Sequence, residues 1–214
     1  MTRLRRTNSF KVFQTNIERS RSFLRIFKMD RKRGHPTSDE KELLRGCLVF
    51  AIGALDAYLS DLILEIVPYY RSGDRHMESA FKQIAKDDPG LALRVALTES
   101  SDAAKVEFRN ALEGWLESKS FQGFAKLANA LSYLGCQWKE QDFDAETGMG
   151  TATELNRITK ERNNIVHNGA KPYVKLNSAE NMVAFIEKIA TIVDLKVREA
   201  LILGDWDTDM KFQL

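Results

Sequence analysis

Apolar residues recur every three or four positions along almost the whole chain, and no stretch alternates convincingly with the period of a strand. Phe10, Phe13, Ile17, Leu24 and Phe27 fall on one face of a first helix, with arginines around the rest. Gly34 and Pro36 break it. Thr37 and Glu40 then form a capping box for a long second helix over about 38–67. Leu44, Leu48, Ala51, Leu55, Leu59, Leu62 and Ile66 make its core face, and Pro68 ends it. Shorter helices follow. Asp74 can cap one carrying Phe81 and Ile84, broken by "DDPG" at 87–90. Ser101 can cap another through Val106, Leu112, Trp115 and Leu116. A third runs from Phe121 through Phe124, Leu127 and Leu131 to a cap at Gly135. The segment 139–150, "KEQDFDAETGMG", reads as a polar loop. Thr151 and Glu154 predict a second capping box, opening a helix that carries Leu155, Ile158, Ile165 and Val166 and stops at Asn168-Gly169. Ser178 can cap a last long helix through Val183, Ile186, Ile189, Val193 and Val197 to about Leu203. The pattern predicts an all-α protein, a helical bundle with long core helices and an additional basic helix at the N-terminus, residues 1–34.

Composition agrees. The chain has 214 residues, 43% hydrophobic and 29% charged, with only 4 Pro and 12 Gly, unlike a loop-rich β fold or a disordered chain. The apolar run 48–67 is about long enough to cross a bilayer, but Asp56, Asp61 and Glu65 interrupt it. Each acid near a membrane centre would cost about 2.5–3.5 kcal/mol, so the run predicts a core helix and no membrane partner. Cys47 and Cys136 form no CxxC pair, which suggests a reducing, cytoplasmic setting without a disulfide framework or zinc site.

Charge changes the picture. Residues 1–33 hold 11 basic and 2 acidic side chains, net +9, while the remainder holds 21 basic and 28 acidic, net −7. A segment this basic suggests a polyanion partner, nucleic acid first. It fits docking onto the acidic remainder of its own chain equally well. The same segment has the Arg- and Ser-rich, acid-poor character of a mitochondrial transit peptide, but three phenylalanines on one stripe favour a helix that packs.

One stretch carries candidate chemistry: "ERNNIVHNG", 161–169, with one of the chain's 3 histidines. The spacing from Arg162 to His167 is weak by itself, since Arg71 and His76 in "RSGDRH" share it; that second pair reads as a turn without fixed geometry. Context separates the two. Asn163 and His167 are i,i+4 neighbours on a helix, so the amide can hold the imidazole in one orientation. The last helical turn favours a charged histidine, and Asn168-Gly169 leaves it accessible. The competing reading is a solvated helix end capped by a histidine.

Arg162-Asn163-x-x-x-His167 resembles the R-[ND/H]-x-x-x-H signature of the HEPN superfamily, in its prokaryotic RNase and toxin branch. The second helix, with "AIGALDAYLSDLI", is similar to the first conserved helix of several HEPN families. Residues 1–33 and about 70–150 carry no part of the resemblance. It implies a HEPN-like helical domain over 35–214 with a helical insertion around 70–150. It also implies a bundle that dimerises and brings two motifs together across a cleft. Many such proteins are metal-independent endoribonucleases in toxin–antitoxin, abortive-infection or other defence systems; some are inactive nucleotide-binding partners.

RNA supplies its own nucleophile, the 2′-OH. Imidazole is the side chain that exchanges a proton nearest neutral pH, so His167 is the candidate acid or base. Arg162 offers a planar fork for phosphate oxygens, and Asn163 would orient the imidazole or bond a phosphate oxygen. Asp56 is a supporting candidate, placed to contact Arg162. Arg157, Lys160 and Lys171 flank the motif and could track phosphates. Tyr58 could stack a base, although an aromatic in an apolar helix is more often core. No metal and no cofactor is expected. The expected partners are RNA, a second copy of the chain and a regulatory protein such as an antitoxin. The rival function is a non-catalytic module binding a nucleotide or a protein partner such as a nucleotidyltransferase.

Overall fold

An antiparallel pair of helices forms the centre of the fold: α1 (Asn8–Met29) lies along α2 (Ser38–Ile66) for most of its length. The structure, a computed structural model, describes residues 6–29, 35–69, 75–91, 93 and 102–202. A single 3₁₀ turn, Val67–Tyr69, follows α2. Then come α3 (Arg75–Asp87), α4 (Asp102–Glu117), α5 (Phe124–Tyr133), α6 (Glu140–Thr147), α7 (Thr151–Asn168) and α8 (Leu176–Ile202). Among the described residues there is no strand, and the fold is all-α.

The α1–α2 pairing follows from their stripes. Phe10, Phe13, Ile17, Leu24 and Phe27 are all buried against α2. Phe10 and Phe13 pack on the Tyr58 ring, with centroids 5.9 and 5.4 Å away. Tyr58 is therefore a core residue and not a base platform; burial pushes its hydroxyl well above the usual tyrosine range. Burying each large apolar side chain of α1 is worth roughly 1.5–3 kcal/mol. Five of them are comparable to the whole net stability of a domain, about 5–15 kcal/mol. The basic helix is thus a member of the core, and removing it would unfold the molecule.

Capping divides between local and distant groups. Thr37 and Glu40 form the predicted box at the start of α2, the Thr37 hydroxyl accepting from the Glu40 N–H at 3.2 Å. At the start of α1, the two Glu65 carboxylate oxygens from the far end of α2 accept the Asn8 and Ser9 N–H groups at 2.8 and 2.7 Å. Part of the charge on α1 is used inside the fold: Arg21 pairs with Glu187 and Lys28 with Glu180, both on α8. At the end of the bundle where α1 begins, Asp194 is fully buried and accepts from the Thr7 hydroxyl at 2.7 Å and Arg198 Nε at 3.0 Å.

By length and composition α2 could cross a membrane, yet its apolar face is spent on α1, α7 and α8. Its core residues from Leu44 to Ile66 are buried as the periodicity predicts.

Other elements differ from the expectation. Residues 139–150 are not an open loop: Asp142 accepts the Lys139 N–H at 2.8 Å, α6 follows, and Gly148 closes it in the left-handed region at φ 74°. Phe143 anchors this short helix, packing edge-on against Phe124 and Trp138. Phe121 precedes α5 as a buried loop residue rather than beginning it. Val106 and Val166, expected in the core, are 59% and 45% exposed. α8 starts at Leu176, so Ser178 lies inside its first turn and not at its cap. Asp74, Ser101 and Leu203 lie outside the described residues.

Candidate functional site

The helix that carries the motif, α7, is anchored first at its N-terminal end. Asp144, in α6, accepts the Thr151 N–H at 2.7 Å, and the Thr151 and Thr147 hydroxyls meet at 2.8 Å. The predicted Thr151–Glu154 capping box does not form. Gly150 is the N-cap, Thr151 is the first helical residue, and the Glu154 carboxylate turns to Arg157. That guanidinium holds the Glu154 carboxyl below its ordinary range. In the middle, Leu155 and Ile158 are buried, and Asn156 Oδ1 accepts the Phe124 N–H at 2.9 Å, which starts α5. At the far end Gly169 sits at φ 59°, and the Ala170 N–H reaches back to the Asn164 carbonyl at 3.0 Å.

Arg162 falls on the same stripe as Leu155, Ile158 and Ile165, at spacings of three and four. A permanent cation therefore occupies a core-facing position of α7. Its Nε is buried without a hydrogen-bond partner, and Nη1 donates to Asn163 Oδ1 at 3.0 Å. Asn163 thus holds the guanidinium and not the imidazole, contrary to expectation, because the fork reaches the neighbouring amide first. His167 is exposed in the last turn, and among the described residues it makes no hydrogen bond or ion pair. At 3.6 residues per turn, side chains five positions apart leave a helix about 140° apart. Arg162 and His167 therefore leave α7 in different directions.

Arg162 opens instead onto a groove of about 310 Å³ between α1 and α2. Gly53 and Ala57 leave room for it on the α2 wall; Asn16 and Arg19 form the α1 wall.

The other predicted residues have mixed placements. Asp56 does not contact Arg162. It accepts from the Phe121 N–H and from Gln122 Nε2, the latter at 2.9 Å, and so fixes the loop before α5. Arg157 is committed to Glu154 and Glu161. Lys160 is exposed and lines a shallow hollow with Arg157, Asn164 and Pro172. Lys171 is exposed, and its carbonyl accepts from Arg45 Nη2 at 3.1 Å. Arg71 lies outside the described residues. His76 is not in a loose turn: it lies in the first turn of α3, 3.3 Å from the Gly135 carbonyl. Gly135, at φ 68°, packs so closely there that an added Cβ would come 2.2 Å from the His76 carbonyl oxygen.

Arg45 was not among the sequence candidates. Buried on α2, it donates Nε to the Pro172 carbonyl at 3.0 Å and Nη1 to Glu42. It ties the segment after the motif to α2. Its one sequence signal is an arginine inside the apolar run "ELLRGCLVF". Cys47 and Cys136 are buried and free, and burial pushes both thiols up to about 12. Among the described residues no three His, Cys, Asp or Glu side chains gather into a metal-binding group.

Residues 14–199 match the family model described as RiboL-PSP-HEPN, a span that includes most of α1 and all of the segment around 70–150. No curated protein and no solved structure matches the chain.

Proposed function

The chain belongs to the RiboL-PSP-HEPN family, and from that premise we propose that this RNase-like module is a metal-independent endoribonuclease acting in a toxin–antitoxin or other defence setting. The observation that carries the reading is the state of Arg162: a guanidinium in a core-facing position, steadied by Asn163, with Nε unpaired. A buried donor left without a partner costs about 1–3 kcal/mol, so the guanidinium is not placed for the stability of the fold, and Arg162 lines an open groove. In the reaction His167 takes the proton of the 2′-OH. The 2′-oxygen attacks phosphorus, the bond to the 5′-oxygen breaks, and that oxygen leaves with a proton. The products are a 2′,3′-cyclic phosphate and a 5′-OH. Arg162 stabilises the charge gathered on the phosphoryl oxygens. Since Arg162 and His167 diverge within one chain, a C2 dimer with two facing motifs completes the site and supplies the second proton-transfer group.

The test is single-turnover cleavage of a panel of structured RNAs. Cutting should persist in EDTA, yield the cyclic phosphate and stop at a 2′-deoxy scissile nucleotide. His167→Ala should slow it about 10²–10⁴-fold, and Arg162→Lys should also be costly because a point charge cannot replace the fork. Equal cutting of the deoxy substrate would overturn the mechanism, and an unimpaired His167→Ala would overturn the site. The divergence of the two side chains also favours a second reading, a non-catalytic module that binds a nucleotide or protein. It takes over if no RNA is cut by protein freed of co-purifying partners.

A further inference from the structure

Among the arginines described on α1, all but one have a carboxylate. Arg21 pairs with Glu18 and Glu187, and Arg25 with Glu18. Arg19 has no hydrogen bond or ion pair among the described residues, and it lines the same groove as Arg162. Asn16, one turn earlier on α1, adds an amide to the same wall. Among the described residues no acidic side chain lines the groove. Its floor on α2 is small: a Cβ added to Gly53 would meet nothing within 4 Å. At one end Phe50 is 41% exposed, its ring steadied by Phe23 with centroids 5.3 Å apart.

We propose that this groove is an RNA subsite extending from the motif, in which Arg19 and Asn16 take a phosphate beside Arg162 and Phe50 stacks the neighbouring base. The proposal rests on the endoribonuclease reading and adds residues that no motif supplies. Guanidinium forks match phosphate oxygens bidentately, and two facing the same space without a carboxylate favour an anion between them. An exposed aromatic ring beside paired cations is the combination that holds single-stranded nucleic acid, with sequence-tolerant stacking on the ring. A second protein chain seated here would desolvate two guanidiniums and would have to bring carboxylates to offset that. An RNA strand brings both the phosphate and the flat apolar face. Arg162 joins the groove to the motif, so a strand held here is led toward His167.

The test uses the full chain in a His167→Ala background and an unmodified eight-nucleotide RNA labelled with fluorescein, read by anisotropy across a salt series. Arg19→Ala should weaken binding about 10-fold and reduce the salt slope by about one. Phe50→Ala should weaken it about 10-fold with the slope unchanged. Gly53→Leu fills the groove while favouring the helix, and should abolish binding without lowering the melting temperature. Arg25→Ala, which removes a paired charge, should leave affinity and slope as they are. If Arg19→Ala and Gly53→Leu bind like the background protein while the parent cuts RNA, the subsite is refuted and the endoribonuclease reading stands. If the parent neither binds nor cuts any RNA, both fall. If sedimentation shows a dimer that Gly53→Leu dissociates, the groove is a contact between copies and the subsite is refuted.

Discussion

The two halves of α7 are built to different standards. From Thr151 to Thr159 nearly every polar group is engaged by another element or a neighbour: Asp144 takes the Thr151 N–H, Asn156 holds the start of α5, and Glu154 and Arg157 grip each other. The Thr159 hydroxyl is the buried exception, without a partner, and Thr153 faces solvent. From Arg162 to Asn168 the polar groups are held on one side or not at all. Arg162 has only the neighbouring amide, and His167 has nothing among the described residues. Arg45 shows that this fold can satisfy a buried guanidinium when the role is structural, with two carbonyls and a carboxylate around it. One half of the helix positions, and the other presents.

That contrast can be broken from either side. The largest effect on stability should come from the fixed half: Leu155, fully buried, should lose about 2–5 kcal/mol on change to Ala, read as a lowered urea midpoint. Arg162→Met should do the opposite. It replaces a half-buried, partly unpaired fork with an apolar side chain of similar reach, and should raise stability by about 1–2 kcal/mol while cleavage is lost. A destabilised Arg162→Met would show that the guanidinium is structural. Asp144→Ala removes the tertiary cap of α7 and should cost about 0.5–2 kcal/mol, with cleavage measured well below the new melting temperature unchanged. The smallest effect belongs to Glu154→Gln. Arg157 holds the Glu154 carboxyl below its ordinary value. The pair's contribution is therefore complete above the unfolded carboxylate range and fades as pH falls through the folded value. It is a surface pair, worth under about 1 kcal/mol, so the substitution should only slightly flatten the acid limb of melting temperature against pH.

The sequence was most informative where a rule is local. Thr37 and Glu40 are three residues apart and cap the helix that their spacing predicts. The stripes of α1 and α2 sort their core residues correctly because each helix buries one face. The left-handed Gly169 ends α7 at the residue where Asn-Gly predicts it. Distant partners were not legible. Asp56 looks like a candidate partner for Arg162 until Phe121, 65 positions away, is found donating to it. α6 has too few apolar positions to show a period, and only the aromatic contacts of Phe143 reveal its burial. Asn163 could serve His167 or Arg162 by spacing alone, and the outcome depends on which way a flexible fork turns. The groove was illegible for the same reason: its walls come from three helices.

The Glu65 cap has a consequence in the order of synthesis. Asn8 is made 57 positions before the carboxylate that completes its helix. At ribosomal speeds of about 5–20 residues per second, that is a wait of roughly 3–11 s. During it α1 exists with its phenylalanine stripe uncovered and its arginines without the acids of α8, which come later still. A half-made chain therefore offers a sticky, cationic helix, and neither the groove nor the motif yet exists. The groove and the motif are completed only when α7 and Gly169 have been added, so the growing chain passes through its most adhesive state before either is formed.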